Sequence, residues 1–251
     1  MRLNLHEWGD AASPTVVCLH GITAHGLRFR RVAERLAGRY HVVSLDLRGH
    51  GRSGYEPPWT IEQHLEDVLE TVPADARLWV GHSFGGRLVL ELAFARPELV
   101  QRGVLLDPAL WVPGPYALEG AERARTPASW SSLDEAVDAR LAADPGSPRE
   151  RVEEDFREHL EPGEDGRLRL RVCPSAVVAA WSEMARTPPQ GRLEAPLRVV
   201  RALAANVCPE TLVEAYRGTA GELLEATTVP GGHIVMWDAL DETVAAIEEF
   251  L

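Results

Sequence analysis

The 251-residue chain predicts an α/β fold: a mostly parallel twisted sheet flanked by helices, with a helical segment inserted into it. Three observations predict this. Short apolar runs rich in β-branched residues alternate with longer runs of helical period. The short runs are almost unbroken in their apolarity, as strands covered on both faces are. The alternation stops after Asp107 and resumes near Leu197.

In chain order, the strand candidates Thr15 to Leu19, His41 to Leu45, Leu78 to Gly81 and Gly103 to Leu106 are separated by helix candidates at Leu27 to Ala37, Ile61 to Val72 and Phe84 to Ala95. Each helix candidate spaces its apolar residues by three and four, which gathers them on one face. Helical crossovers between buried strands make neighbouring strands parallel. Between residues 111 and 189, Pro-Gly-Pro, Asp-Pro-Gly-Ser-Pro and Glu-Pro-Gly-Glu-Asp-Gly punctuate helical pieces such as Ser132 to Ala143 and Pro148 to Leu160, with no convincing buried strand. The charged stretch Arg149 to Glu158 reads as a solvated face. Residues 1–110 and 190–251 are therefore expected to form the core, with 111–189 as an inserted helical lid. Leu197 to Leu203 resumes the sheet, Leu223 to Val229 pairs with it, and an amphipathic helix from about Asp238 to Leu251 ends the chain.

A hydrophobic content of 45% is enough for a full core, and the net charge of −12 disfavours nucleic acid and anionic membranes, both of which are bound mainly through Lys and Arg. No apolar signal region opens the chain and no apolar run nears the roughly 20 residues that span a bilayer, so a soluble cytoplasmic protein is expected. Cys18, Cys173 and Cys208 are odd in number and widely spaced, which favours reduced, packed thiols. His25, His50 and His82 lack a ligand-spaced carboxylate or His-Glu-x-x-His neighbour and read as loop hydrogen-bonding groups, so no metal and no cofactor is expected. Gly49-x-Gly51-x-x-Gly54 formally matches a dinucleotide fingerprint, but Tyr55-Glu56-Pro57-Pro58 stands where the helix should begin.

The chemistry is concentrated in Gly81-His82-Ser83-Phe84-Gly85-Gly86, a Gly-x-Ser-x-Gly pattern between a strand and a helix. The glycines are needed there because a serine at so sharp a turn brings neighbouring backbones too close for a Cβ. With His20-Gly21-Ile22 ending the first buried strand, Asp46-Leu47-Arg48-Gly49-His50-Gly51-Arg52-Ser53 after the next, and Gly231-Gly232-His233 near the C-terminus, the chain resembles the α/β-hydrolase superfamily over nearly all of its length outside the lid. The resemblance implies Ser83 as nucleophile, His233 as general base, and the backbone N–H groups of Ile22 and Phe84 as the oxyanion hole.

The family usually supplies the acid on the loop after the strand corresponding to Leu197 to Leu203, but that slot holds Ala205, followed by the uncharged Asn206. Asp107, in Leu105-Leu106-Asp107-Pro108, occupies the place some members use instead, and it keeps the order nucleophile, acid, base. Glu210, just past the empty slot, is the second candidate, and Asp107 could otherwise cap the first turn of the lid. Trp111, Trp130 and Trp181 in the lid, with Phe84 beside the nucleophile, suggest a pocket for a small apolar or aromatic ester-like substrate. The expected reaction is hydrolysis of a carboxylic ester, thioester or lactone through an acyl-enzyme on Ser83. Serine at the elbow argues against dehalogenase and epoxide hydrolase chemistry, whereas carbon–carbon hydrolysis, acyl transfer and lyase chemistry stay open. A ligand-binding or sensor protein on the same scaffold is the alternative class, motivated by the empty acid slot.

Overall fold

Runs with almost no charge in their interior form the centre of the sheet. In the computed structural model, which describes residues 1–251, the first five strands are β1 (Leu5–Trp8), β2 (Thr15–Leu19), β3 (His41–Leu45), β4 (Leu78–His82) and β5 (Arg102–Leu106). The residues after β5 include a small antiparallel hairpin, β6 (Leu160–Pro162) and β7 (Leu168–Leu170), and the main sheet resumes with β8 (Leu197–Ala202) and β9 (Leu224–Val229). The sheet runs β1-β3-β2-β4-β5-β8-β9, and every pairing is parallel except β1 with β3. β1 has no counterpart among the strand candidates because four half-exposed residues at an edge carry too little periodic signal.

The expected helix over 27–37 starts as a 3-10 turn at Gly26–Phe29 and continues as α1 (Arg30–Leu36). α2 (Ile61–Thr71) is capped by the Thr60 side chain, which accepts from the Gln63 amide, and α3 (Phe84–Ala95) follows the elbow. On one face of the sheet, Leu88 and Leu92 of α3 pack with Leu65 and Val68 of α2. On the other, Val32 and Leu36 of α1 pack with residues of the C-terminal helix.

The insertion contributes α4 (Gly114–Ala124), α5 (Leu133–Ala143), α6 (Arg149–His159) and α7 (Pro174–Ala185). Its apolar residues are shared between the two clusters. Ala117, Ala180 and Met184 join the apolar cluster on one face, and Ala136, Val137, Val152 and Phe156 join the other. At Gly120 a Cβ would lie 2.3 Å from the Trp181 ring, so the glycine is what lets α4 and α7 pack at this distance. α8 (Glu210–Ala220) follows β8. The expected closing helix is α10 (Leu240–Glu248), and a separate turn, α9 (Val235–Asp238), precedes it, with Ala239 between them at φ −144°. No helix is long and apolar enough to cross a membrane.

Candidate active site

Ser83 stands between β4 and α3 with φ 55° and ψ −115°, a conformation that a residue with a Cβ adopts only under constraint. Its neighbours impose it: the Ser83 amide donates to Leu106 O on β5, and the Ser83 carbonyl accepts from Ala109. A Cβ on Gly81 would fall 2.3 Å from Gly85 O, and one on Gly85 2.0 Å from Leu19 O, so both glycines of the pattern are sterically required. Thr23 and Asp107 are the other non-glycine residues with positive φ, at 57° and 36°. All three strained residues border one region, where strain of this kind marks a candidate site.

Asp107 leaves the end of β5 fully buried, with its amide donating to Val200 O. Its Oδ1 accepts from the Ala202 amide at 3.2 Å, and its Oδ2 lies 2.6 Å from Nδ1 of His233. A carboxylate only accepts, so Nδ1 carries the proton and Nε2 is left as the basic nitrogen. The His233 turn is held from behind: Gly231 has φ 90°, and the Gly232 amide donates to Asp238 Oδ2 at 2.8 Å. Asp238 thus shapes the turn, and Asp107 meets the ring. Glu210 is not brought to His233; it is exposed and pairs with Arg201 at 3.4 Å.

Ser83 and His233 line one cavity of about 580 Å³ together with Ile22, Trp111 and Trp181. Trp130 belongs elsewhere. It lines an adjoining cavity of about 240 Å³, into which Trp181 also faces, because its backbone is paired with Leu168 in the insertion. The Phe84 side chain is likewise not a pocket wall: it is fully buried, edge-on to His64, and only its amide, as the first residue of α3, adjoins Ser83. His82 donates from Nε2 to the His233 carbonyl at 2.8 Å, and burial holds this imidazole neutral by pushing its pKa well below the usual histidine value.

Sequence reasoning missed Arg28, Arg140 and Asn206, all of which line the cavity. Arg28 and Arg140 look like ordinary solvated helix charges in the sequence, and Asn206 stands out there only as lacking charge. The stretch 149–158 is solvated at Arg149, Glu150 and Arg157, but α6 turns Asp155 into the core and sets Glu154 and Glu158 against arginines of the core. Asp155 is buried and takes Arg28 in a two-point ion pair, Glu154 pairs with Arg31, and Glu158 pairs with Arg30. Of the cysteines, Cys18 and Cys208 are buried and Cys173 is half-buried at the start of α7.

An imidazole oriented by a buried carboxylate, beside a constrained serine and two chain turns rich in amides, can move a proton and stabilise a tetrahedral oxyanion. Comparison with known proteins agrees with this architecture. Lipase LipV of Mycobacterium tuberculosis is 33% identical over 272 aligned positions, covering 99% of this chain and 97% of the relative. The 3-hydroxybutyrate-oligomer hydrolase of Cupriavidus necator is 38% identical over a shorter stretch, 42% of this chain and 38% of that protein. Among solved structures, E-2-(acetamidomethylene)succinate hydrolase superimposes with a TM-score of 0.85 at 22% identity, over 99% of this chain and 94% of that one. Residues 14–207 match the family described as alpha/beta hydrolase fold, and the chain belongs to that family.

Proposed function

We propose that the protein is a serine hydrolase that cleaves a carboxylic ester, thioester or lactone through an acyl-enzyme on Ser83. The observation that carries this reading is the 2.6 Å contact between buried Asp107 and His233, whose ring lines the same cavity as Ser83. His233 Nε2 takes the Ser83 proton as Oγ attacks the substrate carbonyl, and returns it to the leaving alcohol or thiol when the tetrahedral intermediate collapses. Water, deprotonated by the same nitrogen, then releases the acid. Asp107 holds the Nδ1–H tautomer and stabilises the imidazolium that forms.

The amides of Ile22 and Phe84 receive the oxyanion, a role in which one donor is worth about 3 kcal/mol. Trp111 and Trp181 supply an apolar wall for the acyl or alcohol part, in keeping with the lipase and oligomer hydrolase names among the relatives. Residues 111–189 act as the lid over this cavity. The uncharged loop 204–206 is what favours a binding protein instead, and Asp107 supplies the carboxylate which that loop lacks.

The test needs no known substrate. A fluorophosphonate probe, followed by intact mass, labels the wild type once and leaves Ser83→Ala unlabelled, and p-nitrophenyl esters are cleaved only by the wild type. Folded wild-type protein that neither labels nor cleaves overturns the reading.

A further inference from the structure

The cavity carries more positive charge than an apolar ester pocket needs. Arg28, from the 3-10 turn of the core, and Arg140, from α5 of the insertion, both line it. Their guanidinium carbons lie 4.9 and 5.9 Å from the centre of the same Trp237 ring. Each has a carboxylate partner, Asp155 for Arg28 and Asp144 for Arg140, but neither aspartate lines the cavity. The ion pairs occupy Nε and Nη2 of Arg28 and only Nη2 of Arg140, leaving Arg28 Nη1 and Arg140 Nε and Nη1 without protein acceptors.

Asp155 and Asp144 balance the two guanidinium groups from outside the cavity, while the arginines' remaining N–H donors have no protein acceptor to satisfy them. Burial lowers the pKa of Arg140, Asp144 opposes that shift, and the charge of Arg28 adds a smaller lowering. Arg28 also contributes to keeping His82, which precedes Ser83, uncharged. In a chain with a net charge of −12, Arg28 and Arg140 are the only Asp, Glu, Lys or Arg side chains that line this cavity.

We propose that Arg28 and Arg140 form an anion subsite that binds a carboxylate or phosphate group carried by the substrate elsewhere than at the scissile ester. This rests on the hydrolase reading for its role in turnover, though not for binding itself. Guanidinium groups with free N–H donors match anionic oxygens in geometry as well as charge. Because one arginine belongs to the core and the other to the insertion, a bound anion bridges the two.

Calorimetric titration into Ser83→Ala separates the site from the chemistry. Monomethyl adipate binds at least tenfold more tightly than methyl hexanoate of equal acyl length, and the advantage shrinks with added salt. Methyl 5-phosphonopentanoate in the same titration tells whether phosphate-like or carboxylate oxygens are preferred. Adding Arg140→Gln removes the advantage, and Arg140→Lys restores part of it. Equal binding of the anionic and neutral esters, or an advantage untouched by Arg140→Gln, overturns the subsite. Wild-type protein that binds the half-ester through Arg140 but cleaves neither p-nitrophenyl hexanoate nor mono-p-nitrophenyl adipate leaves the subsite standing and overturns the hydrolase reading.

Discussion

Two histidine–aspartate pairs in this molecule use the same groups for different ends. In the first, Asp107 is wholly buried while the His233 side chain is 31% exposed and borders the cavity. In the second, His25 and Asp155 meet at 3.1 Å with side-chain exposures of only 4% and 2%. Asp155 is also gripped by Arg28, and His25 is stacked on His159 at 4.5 Å. The first pair leaves one imidazole nitrogen uncommitted beside a serine, whereas the second is enclosed and its carboxylate is neutralised by a permanent cation. A histidine–aspartate contact becomes chemistry through what the far side of the ring faces; enclosed, the same contact fastens α6 to the core. Burial alone would raise the Asp155 carboxyl, but Arg28 and His25 outweigh it and hold its pKa well below the usual value.

The largest effect is expected at Ser83. Ser83→Ala is expected to lower kcat for an activated ester by about 10⁴-fold or more, with unchanged circular dichroism. Asp107→Asn should lower kcat by about 10² to 10⁴-fold in folded protein, through loss of the orienting carboxylate. Asp155→Asn should act on stability instead. Leaving Arg28 buried without its partner costs about 3–5 kcal/mol and lowers Tm by on the order of 10 °C, while turnover of a neutral ester below that temperature falls far less than in Asp107→Asn. If Asp155→Asn silenced the folded enzyme as thoroughly as Asp107→Asn does, the division between the two pairs would be wrong.

Acid should reveal a smaller, distributed effect. Burial depresses His50 to about 4 and His64 to about 3, and holds His20, His82 and His159 well below the ordinary value. These groups bind protons in the unfolded chain near pH 6.5 but not in the folded one, so stability is full above that pH and declines as pH falls toward the folded values. The midpoint of urea unfolding should be flat from pH 7 to 8 and drop between 6.5 and 4; the Asp155 contribution is lost only below about 4, as pH falls toward its depressed folded value. A flat midpoint down to pH 5 would contradict the neutral, buried state of these rings. The smallest effect is expected at Glu210→Gln, which should change kcat/KM by less than about twofold, since exposed ion pairs are worth little and this one lies on Arg201.

Much of this was legible in the sequence. The central strands declared themselves because burial on both faces requires unbroken apolar runs, and the elbow did so because a close backbone approach demands glycine at 81 and 85. Asp107 stood out as a candidate from the resemblance, chain order and strand position, and its carboxylate does meet His233. The edge strand β1 could not be found, since four half-exposed residues leave no period. Nor could the hairpin Leu160–Leu170, which is too short and too polar to stand out.

What the sequence determined by itself was therefore local: strands that must be covered, turns that only glycine permits, and residue types able to do acyl transfer. Only the tertiary structure decided which charges meet. That Asp107 rather than Glu210 reaches His233, that Trp130 faces a neighbouring cavity, and that Arg28 and Arg140 share the Trp237 ring all depend on contacts between residues far apart in the chain. A charged side chain has the same spelling in solvent as in a cavity wall, and only the packing around it sets which of the two it becomes.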